Sequence, residues 1–355
     1  MLDVAARPAK PAGMNDLLPA DPLGLHHGLL TLDTHIDIPW PTGPDPFTDG
    51  KRKVDLPKMR RGGLSAGCFV AYVPQAARTP ASEQAAFERA EAMLHAIHHL
   101  AAGAPGLPTR LTVTAEAVVR AREDGVLAVI PVVENGFAIG TDLTRLHRLG
   151  ALGARYLTLT HNGHNALADS AIPRADLGER AAEHGGLSAF GRVAIAEMNR
   201  IGMLVDVAHV SRATMLDAAE VSRTPVFSSH SCVAALCDHP RNMENGQLDA
   251  LADVGGVIQI TAVSAFLKAH ARPEQASVAD FADHIDYAVN RIGIEHVGIS
   301  SDFDGGGGFA GWNDAGDCPN ITAELARRGY DRVALGLLWG GNFLRLLRLA
   351  EAAAA

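Results

Sequence analysis

Five short apolar runs in the sequence each stop at a side chain able to hold a divalent metal or move a proton: His35 with Asp37, Glu134, His161, His209 and His230. A sixth, Val297-Gly298-Ile299-Ser300-Ser301, stops at Asp302. In His35-Ile36-Asp37 the imidazole and carboxylate are two positions apart, so on an extended strand end both face the same side and could share one metal. Glu134 closes the run Val129-Ile130-Pro131-Val132-Val133, where an uncompensated carboxylate would cost several kcal/mol. The bland partner is Arg155. The sharper reading is a carboxylate bridging two cations, since metals ~3.5 to 4 Å apart need a shared anion.

His209 and His230 end successive runs, at equivalent positions that suit a second metal site. Nitrogen and oxygen donors without thiolates favour zinc, with manganese and cobalt as alternatives. Asp302 is then the natural proton shuttle for a metal-held water. Two divalent ions are balanced by Asp37, Glu134, Asp302 and one hydroxide. His161 could donate to an oxygen that turns negative in a tetrahedral intermediate. Arg241, eleven residues after His230, could grip a substrate carboxylate with its planar fork, or be an exposed loop arginine.

Groups spread over some 270 positions meet at one rim only if a fold gathers strand ends there. Runs of four to eight apolar or β-branched residues alternate with helical stretches, the pattern of repeated βα units. Strands are expected at Leu29–His35, Cys68–Val73, Leu127–Glu134, Tyr156–His161, Met203–His209, Pro225–His230, Val257–Ala262 and Val297–Asp302. Helices are expected around 83–102, 115–123, 142–150, 187–201, 211–220, 246–254, 278–292 and 331–350, with Asp142 and Ser211 as caps. Eight such units, with near-continuous Val/Ile/Leu strands, predict an α/β fold, a (β/α)8 TIM barrel of the metal-dependent hydrolase type. Residues 29–355 form one catalytic domain in this reading, and 1–28 a loosely structured N-terminal arm. Gly305 to Gly308 read as a mobile loop at the mouth; no Lys-Ser/Thr pair follows to make them a phosphate loop.

Bulk composition removes several function classes. A net charge of -9 with a pI near 5.9 and no Lys/Arg-rich block argues against nucleic acid. Four cysteines without a C-x-x-C pair indicate neither a disulfide framework nor a thiolate zinc site. No apolar stretch of ~18 residues suggests a membrane span, and residues 1–28 lack a secretion signal, so a cytoplasmic location is expected. After Lys58 the only lysine is Lys268, which excludes a strand-end Schiff base or a carbamylated lysine bridging metals.

Assembled, these segments resemble the membrane dipeptidase (renal dipeptidase, peptidase M19) family. Asp33-Thr34-His35-Ile36-Asp37-Ile38-Pro39-Trp40 is similar to D-G-H-N-D-L-P, and Leu157 to Asn162 to L-T-L-T-H-x. Asp206 to Ser211 is similar to D-L-S-H-V-S, and Phe227 to Ser231 followed by Arg241-Asn242 to F-S-H-S with R-N. Val297 to Gly305 resembles V-G-x-G-x-D-F-D-G, and Gly341 to Arg345 the closing G-N-x-L-R. The resemblance implies a homodimeric dipeptidase with two zinc ions per subunit, one held by His35, Asp37 and Glu134, the other by Glu134, His209 and His230. It also implies Asp302 as acid/base, His161 as transition-state donor and Arg241 on the C-terminal carboxylate of a small dipeptide, often with a D-residue there. Thr34, Ile36, Asn135 and the Ile258-Gln259-Ile260-Thr261 segment depart from the family pattern. Alternative readings are hydrolysis of another small amide, such as an N-acyl amino acid or a lactam, and a non-catalytic metal- or ligand-binding barrel.

Overall fold

The computed structural model describes residues 21–38 and 43–354. Among the described residues nine strands are formed: β1 (Leu32–Asp37), β2 (Ala66–Tyr72), β3 (Thr109–Leu111), β4 (Leu127–Glu134), β5 (Tyr156–Thr158), β6 (Leu204–Asp206), β7 (Phe227–Ser231), β8 (Val257–Ile260) and β9 (Val297–Ile299). All pair in parallel in the order β1-β2-β4-β5-β6-β7-β8-β9. The eight strands on this path are the eight expected. The ring closes just past β9: Asp302 N donates to the His35 carbonyl at 3.1 Å, and Asp37 N to the Phe303 carbonyl at 3.0 Å. An α/β barrel of the TIM type results.

β3 was not expected from the sequence. It pairs with the start of β4, Thr109 opposite Leu127, while β5 pairs with β4 only at Val133 and Glu134. The short β5 leaves the lower half of that β4 edge without a ladder, and a three-residue strand is too brief for a period-2 signal. Strand ends also differ from expectation. His161, His209 and Asp302 each stand three residues beyond β5, β6 and β9, because the chain there turns its polar groups toward the mouth instead of a neighbouring ladder.

The helices form as their caps dictate. Ser211 accepts from Thr214 N and opens Arg212–Val221; Asp142 accepts from Thr144 N and opens Leu143–Ala151. Among the described residues, the helices Pro22–His27, Leu56–Arg61, Ser264–Leu267 and Cys318–Arg327 were not anticipated. The segment Arg332–Ala353 is long and apolar enough to cross a membrane, contrary to the expectation that none would be. Its Leu335, Leu338, Trp339, Phe343, Leu346 and Leu347 are nonetheless buried in the core, so the apolar stripe belongs to barrel packing.

The arm expected over 1–28 divides. Residues 1–20 lie outside the described residues, as do Pro39 and Trp40 of the first motif. Pro22–His27 form a helix capped by Asp21 and set against Cys318–Arg327. His26 anchors it: the ring is fully buried, with Nδ1 2.6 Å from Thr322 Oγ1 and Nε2 2.9 Å from the Gly62 carbonyl.

Burial lowers the His26 pKa from 6.5 to about 4, because a charged ring there would lose its water. Between these values the unfolded chain binds the proton more tightly than the folded one. The stability this residue contributes is therefore complete above pH 6.5 and is lost as pH falls toward 4, by up to roughly 3 kcal/mol. Denaturant melts at pH 7 and 4.5 should show a smaller acid-induced loss in His26→Asn than in the parent protein. An equal loss in both would remove this assignment.

Candidate functional site

β2, β4, β5 and β6 are in step at their C-terminal ends, with Tyr72 opposite Glu134, Glu134 opposite Thr158 and Thr158 opposite Asp206. This row sets the level at which Glu134 meets the histidines. Three imidazole Nε2 atoms converge on Glu134 Oε1: His209 at 3.2 Å, His230 at 3.5 Å and His35 at 3.7 Å. The alternative partner, Arg155, is elsewhere, its guanidinium spent on the carbonyls of Gly150, Gly153 and Ala154.

The tautomers follow from the next layer of hydrogen bonds. Tyr156 O–H donates to the Thr34 carbonyl at 2.9 Å, so its oxygen accepts from His35 Nδ1–H at 3.0 Å. Ser229 O–H donates to Asp206 Oδ2 at 2.6 Å, so Ser229 Oγ accepts from His230 Nδ1–H at 2.8 Å. Asn162 Oδ1 accepts from His209 Nδ1–H at 3.1 Å. Each ring thus presents a bare Nε2 lone pair to a carboxylate oxygen, and the Nε2 atoms of His209 and His230 lie only 2.9 Å apart. Lone pairs at these distances repel unless a cation sits among them. His35 Nε2 and Glu134 Oε1 are buried without a hydrogen-bond partner. A proton can satisfy one such nitrogen–oxygen pair; a metal ion can satisfy several donors together.

The donors fall into overlapping clusters: His35, Glu134 and His230; Glu134, His161 and His209; and His35, Asp37 and Asp302. His35 Nε2 is 3.8 Å from Asp37 Oδ2 and 4.0 Å from Asp302 Oδ1. Burial pulls the His35 pKa down to about 3 and those of His209 and His230 well below the ordinary value. The rings are therefore neutral, the form that binds metal. Burial, then repulsion by neighbouring carboxylates, raises Asp37 to about 7 and puts Glu134 and Asp302 well above the carboxylate range. Acids that resist ionisation for want of positive charge are suited to an ion that supplies it. The donor set of neutral imidazoles and carboxylates fits zinc.

The Gly305 to Gly308 segment, expected as a mobile loop at the mouth, is tied there by backbone hydrogen bonds. The N–H groups of Gly305, Gly306 and Gly307 all donate to the Asp302 carbonyl, and Gly308 N to that of Ala262. A Cβ on Gly305 would lie 2.0 Å from Asp37 Oδ2 and 2.4 Å from Asp302 Oδ1, so the backbone is laid directly on the two carboxylates. Asp302 has φ 55 and His209 φ 64, left-handed conformations that cost energy in a non-glycine residue. Asn135, where the family pattern has glycine, also has a positive φ of 82. Its side chain anchors the turn by donating to the Val73 carbonyl and accepting from Phe137 N.

A cavity of about 470 Å³ opens above these groups, lined by Asp37, Glu134, His161, His209, His230, Arg241 and Asp302, with Tyr72, Arg89, Met93 and Phe266 around them. His161 lies 4.0 Å from His209 and 4.8 Å from Tyr72, ring centre to ring centre. Burial lowers its pKa to about 3, so the neutral ring keeps one N–H to donate. Arg241 is no exposed loop arginine: it is 4% exposed, with Phe266 beneath its guanidinium at 5.4 Å. One amino group donates to the His230 carbonyl, Nε has no partner, and no ion pair is formed among the described residues. Burial brings even this group down to about 10.

Seven of the eight residues singled out from the sequence thus line one cavity, and the eighth, His35, is buried against Glu134 of its floor. Tyr156, Asp206, Asn162 and Ser229 were missed as contributors. Tyr156 and Asp206 lie within strand runs, and only the closed barrel brings Tyr156 to His35 and Asp206, through Ser229, to His230. The membrane dipeptidase model, peptidase family M19, matches residues 23–355. The chain belongs to this family. This M19 protein is 36% identical over 310 residues to a dipeptidase of Aspergillus oryzae, an alignment spanning 85% of the chain and 71% of that relative. Its structure is similar to that of a probable dipeptidase from Pseudomonas aeruginosa, with a TM-score of 0.89 at 28% identity, covering 94% and 98% of the two chains. It also matches a metallopeptidase from Rhodobacter sphaeroides liganded with a phosphinate mimic of L-Ala-D-Ala, with a TM-score of 0.80 at 26% identity, covering 91% and 99%. It is a metal-dependent dipeptidase.

The hydrogen bond from His35 to Tyr156 orients a ring whose Nε2 faces the candidate metal. Tyr156→Phe should weaken zinc binding tenfold to a hundredfold, measured by competition with a chromogenic chelator. An unchanged affinity would mean that packing alone holds the ring.

Proposed function

We propose that this M19 dipeptidase uses two zinc ions, one held by His35, Asp37 and Glu134, the other by Glu134, His209 and His230. The convergence of three Nε2 lone pairs on one buried carboxylate oxygen carries this reading, because a single bridging anion serves two ions most economically. Bound there, the ions would lower the pKa of a shared water to near neutrality and polarise the substrate carbonyl.

The chain's own groups do the rest. Arg241 would receive the C-terminal carboxylate of a dipeptide in a bidentate pair, which supplies the acceptor its unpartnered Nε side lacks. Asp302, 4.0 Å from His35 Nε2 and under the Gly305 backbone, would take the proton of the attacking water and pass it to the leaving amine. His161 would donate its N–H to the developing oxyanion; as a neutral ring it can do so without first losing a proton. The phosphinate mimic bound to the Rhodobacter sphaeroides neighbour supports a substrate with D-alanine at the C-terminal position.

Chelation should abolish dipeptide hydrolysis, with recovery on adding about two equivalents of zinc per chain; recovery complete at one would remove the binuclear reading. Arg241→Ala should raise KM for free-carboxylate dipeptides by ten- to a hundredfold and leave a C-terminally amidated substrate little affected. Asp302→Asn should lower kcat by at least a hundredfold while zinc is still bound. Unaltered turnover would rule out Asp302 as the proton carrier.

A further inference from the structure

Arg241 is not the sole arginine on the cavity wall. Arg89, on the helix Pro80–Leu100, also lines it, beside Met93 and Tyr72. Its Nε donates to the Tyr72 carbonyl at 3.0 Å, which fixes the guanidinium at the end of β2. The side chain is exposed to the mouth and forms no ion pair among the described residues. The acidic groups of the lining are already engaged. Asp304 accepts from the N–H groups of Lys53 and Val54 and lies 3.6 Å from Arg52, while Asp37, Glu134 and Asp302 form the floor.

The barrel places the two arginines across from each other. In the order β1-β2-β4-β5-β6-β7-β8-β9, β2 is second and β7 sixth, half a turn of an eight-membered ring apart. Arg241 follows β7 and is bonded to the carbonyl of its His230; Arg89 is bonded to the last residue of β2. A dipeptide with its C-terminal carboxylate on Arg241 and its peptide bond over the floor extends its N-terminal residue toward Arg89. We propose that Arg89 determines specificity for the N-terminal residue, favouring dipeptides that begin with glutamate or aspartate, whose side-chain carboxylate it pairs. The proposal rests on Arg241 holding the C-terminal carboxylate.

The test compares kcat/KM of the zinc-loaded enzyme on Glu-Ala against Gln-Ala and on Ala-Glu against Ala-Gln, each with both configurations of the C-terminal residue. Ratios within one preparation cancel any difference in the folded fraction. The parent enzyme should favour Glu-Ala over Gln-Ala by roughly fivefold or more. In Arg89→Met that ratio should fall below about twofold, and Arg89→Glu should favour Lys-Ala over Glu-Ala. A ratio near one in the parent enzyme, a preference surviving in Arg89→Met, or acid preference confined to the C-terminal residue would each overturn the proposal while leaving dipeptide hydrolysis intact. Absence of hydrolysis for the neutral pairs as well would instead remove the substrate reading on which it stands.

Discussion

Three nitrogen lone pairs aimed at one carboxylate oxygen cannot persist without positive charge between them. That constraint at Glu134 organises the whole mouth of this barrel. Each imidazole is locked by a hydrogen bond at its far nitrogen, to Tyr156, Asn162 or Ser229. The locking removes the freedom to turn the lone pair away. The protein thus holds a repulsive arrangement that an ion relieves, and the folded state becomes linked to metal occupancy by mass action.

Barrel closure serves the same end. The seam between β1 and the segment after β9 is made by backbone bonds at His35, Asp37, Asp302 and Phe303. Two candidate metal donors and the candidate proton carrier therefore sit on the ladder that closes the ring. Asp33 ties this seam from inside, its Oδ1 accepting from the N–H groups of His35 and Ser301. Left-handed backbone at His209 and Asp302, with glycines laid over the carboxylates, is strain that the surrounding hydrogen bonds must offset.

Two arginines, Arg89 and Arg241, stand on the wall around this acidic floor. Arg241 is buried on an aromatic ring and has no counter-ion among the described residues, an arrangement unfavourable for the free protein and corrected by an anionic ligand. A small substrate with a free carboxylate, held in a cavity of about 470 Å³, is the chemistry that such a group recognises.

Much of this was legible in one dimension. The eight barrel strands, the caps at Asp142 and Ser211 and the eight candidate site residues could be read because apolar runs mark strands and a polar group at the end of such a run stands out. The short β3 carried no periodic signal, and the bonds of the glycine run were not legible because one of their acceptors, the Ala262 carbonyl, is distant in sequence. Residue types and spacing by themselves determined that metal-binding chemistry was available and roughly where each donor would lie. Which imidazole nitrogen faces inward, whether Glu134 meets Arg155 or histidines, and whether Arg241 is buried were decided only by tertiary structure. Hydrogen-bond partners and neighbouring charges from far along the chain set tautomer, ionisation and burial, and a linear pattern does not contain those distances.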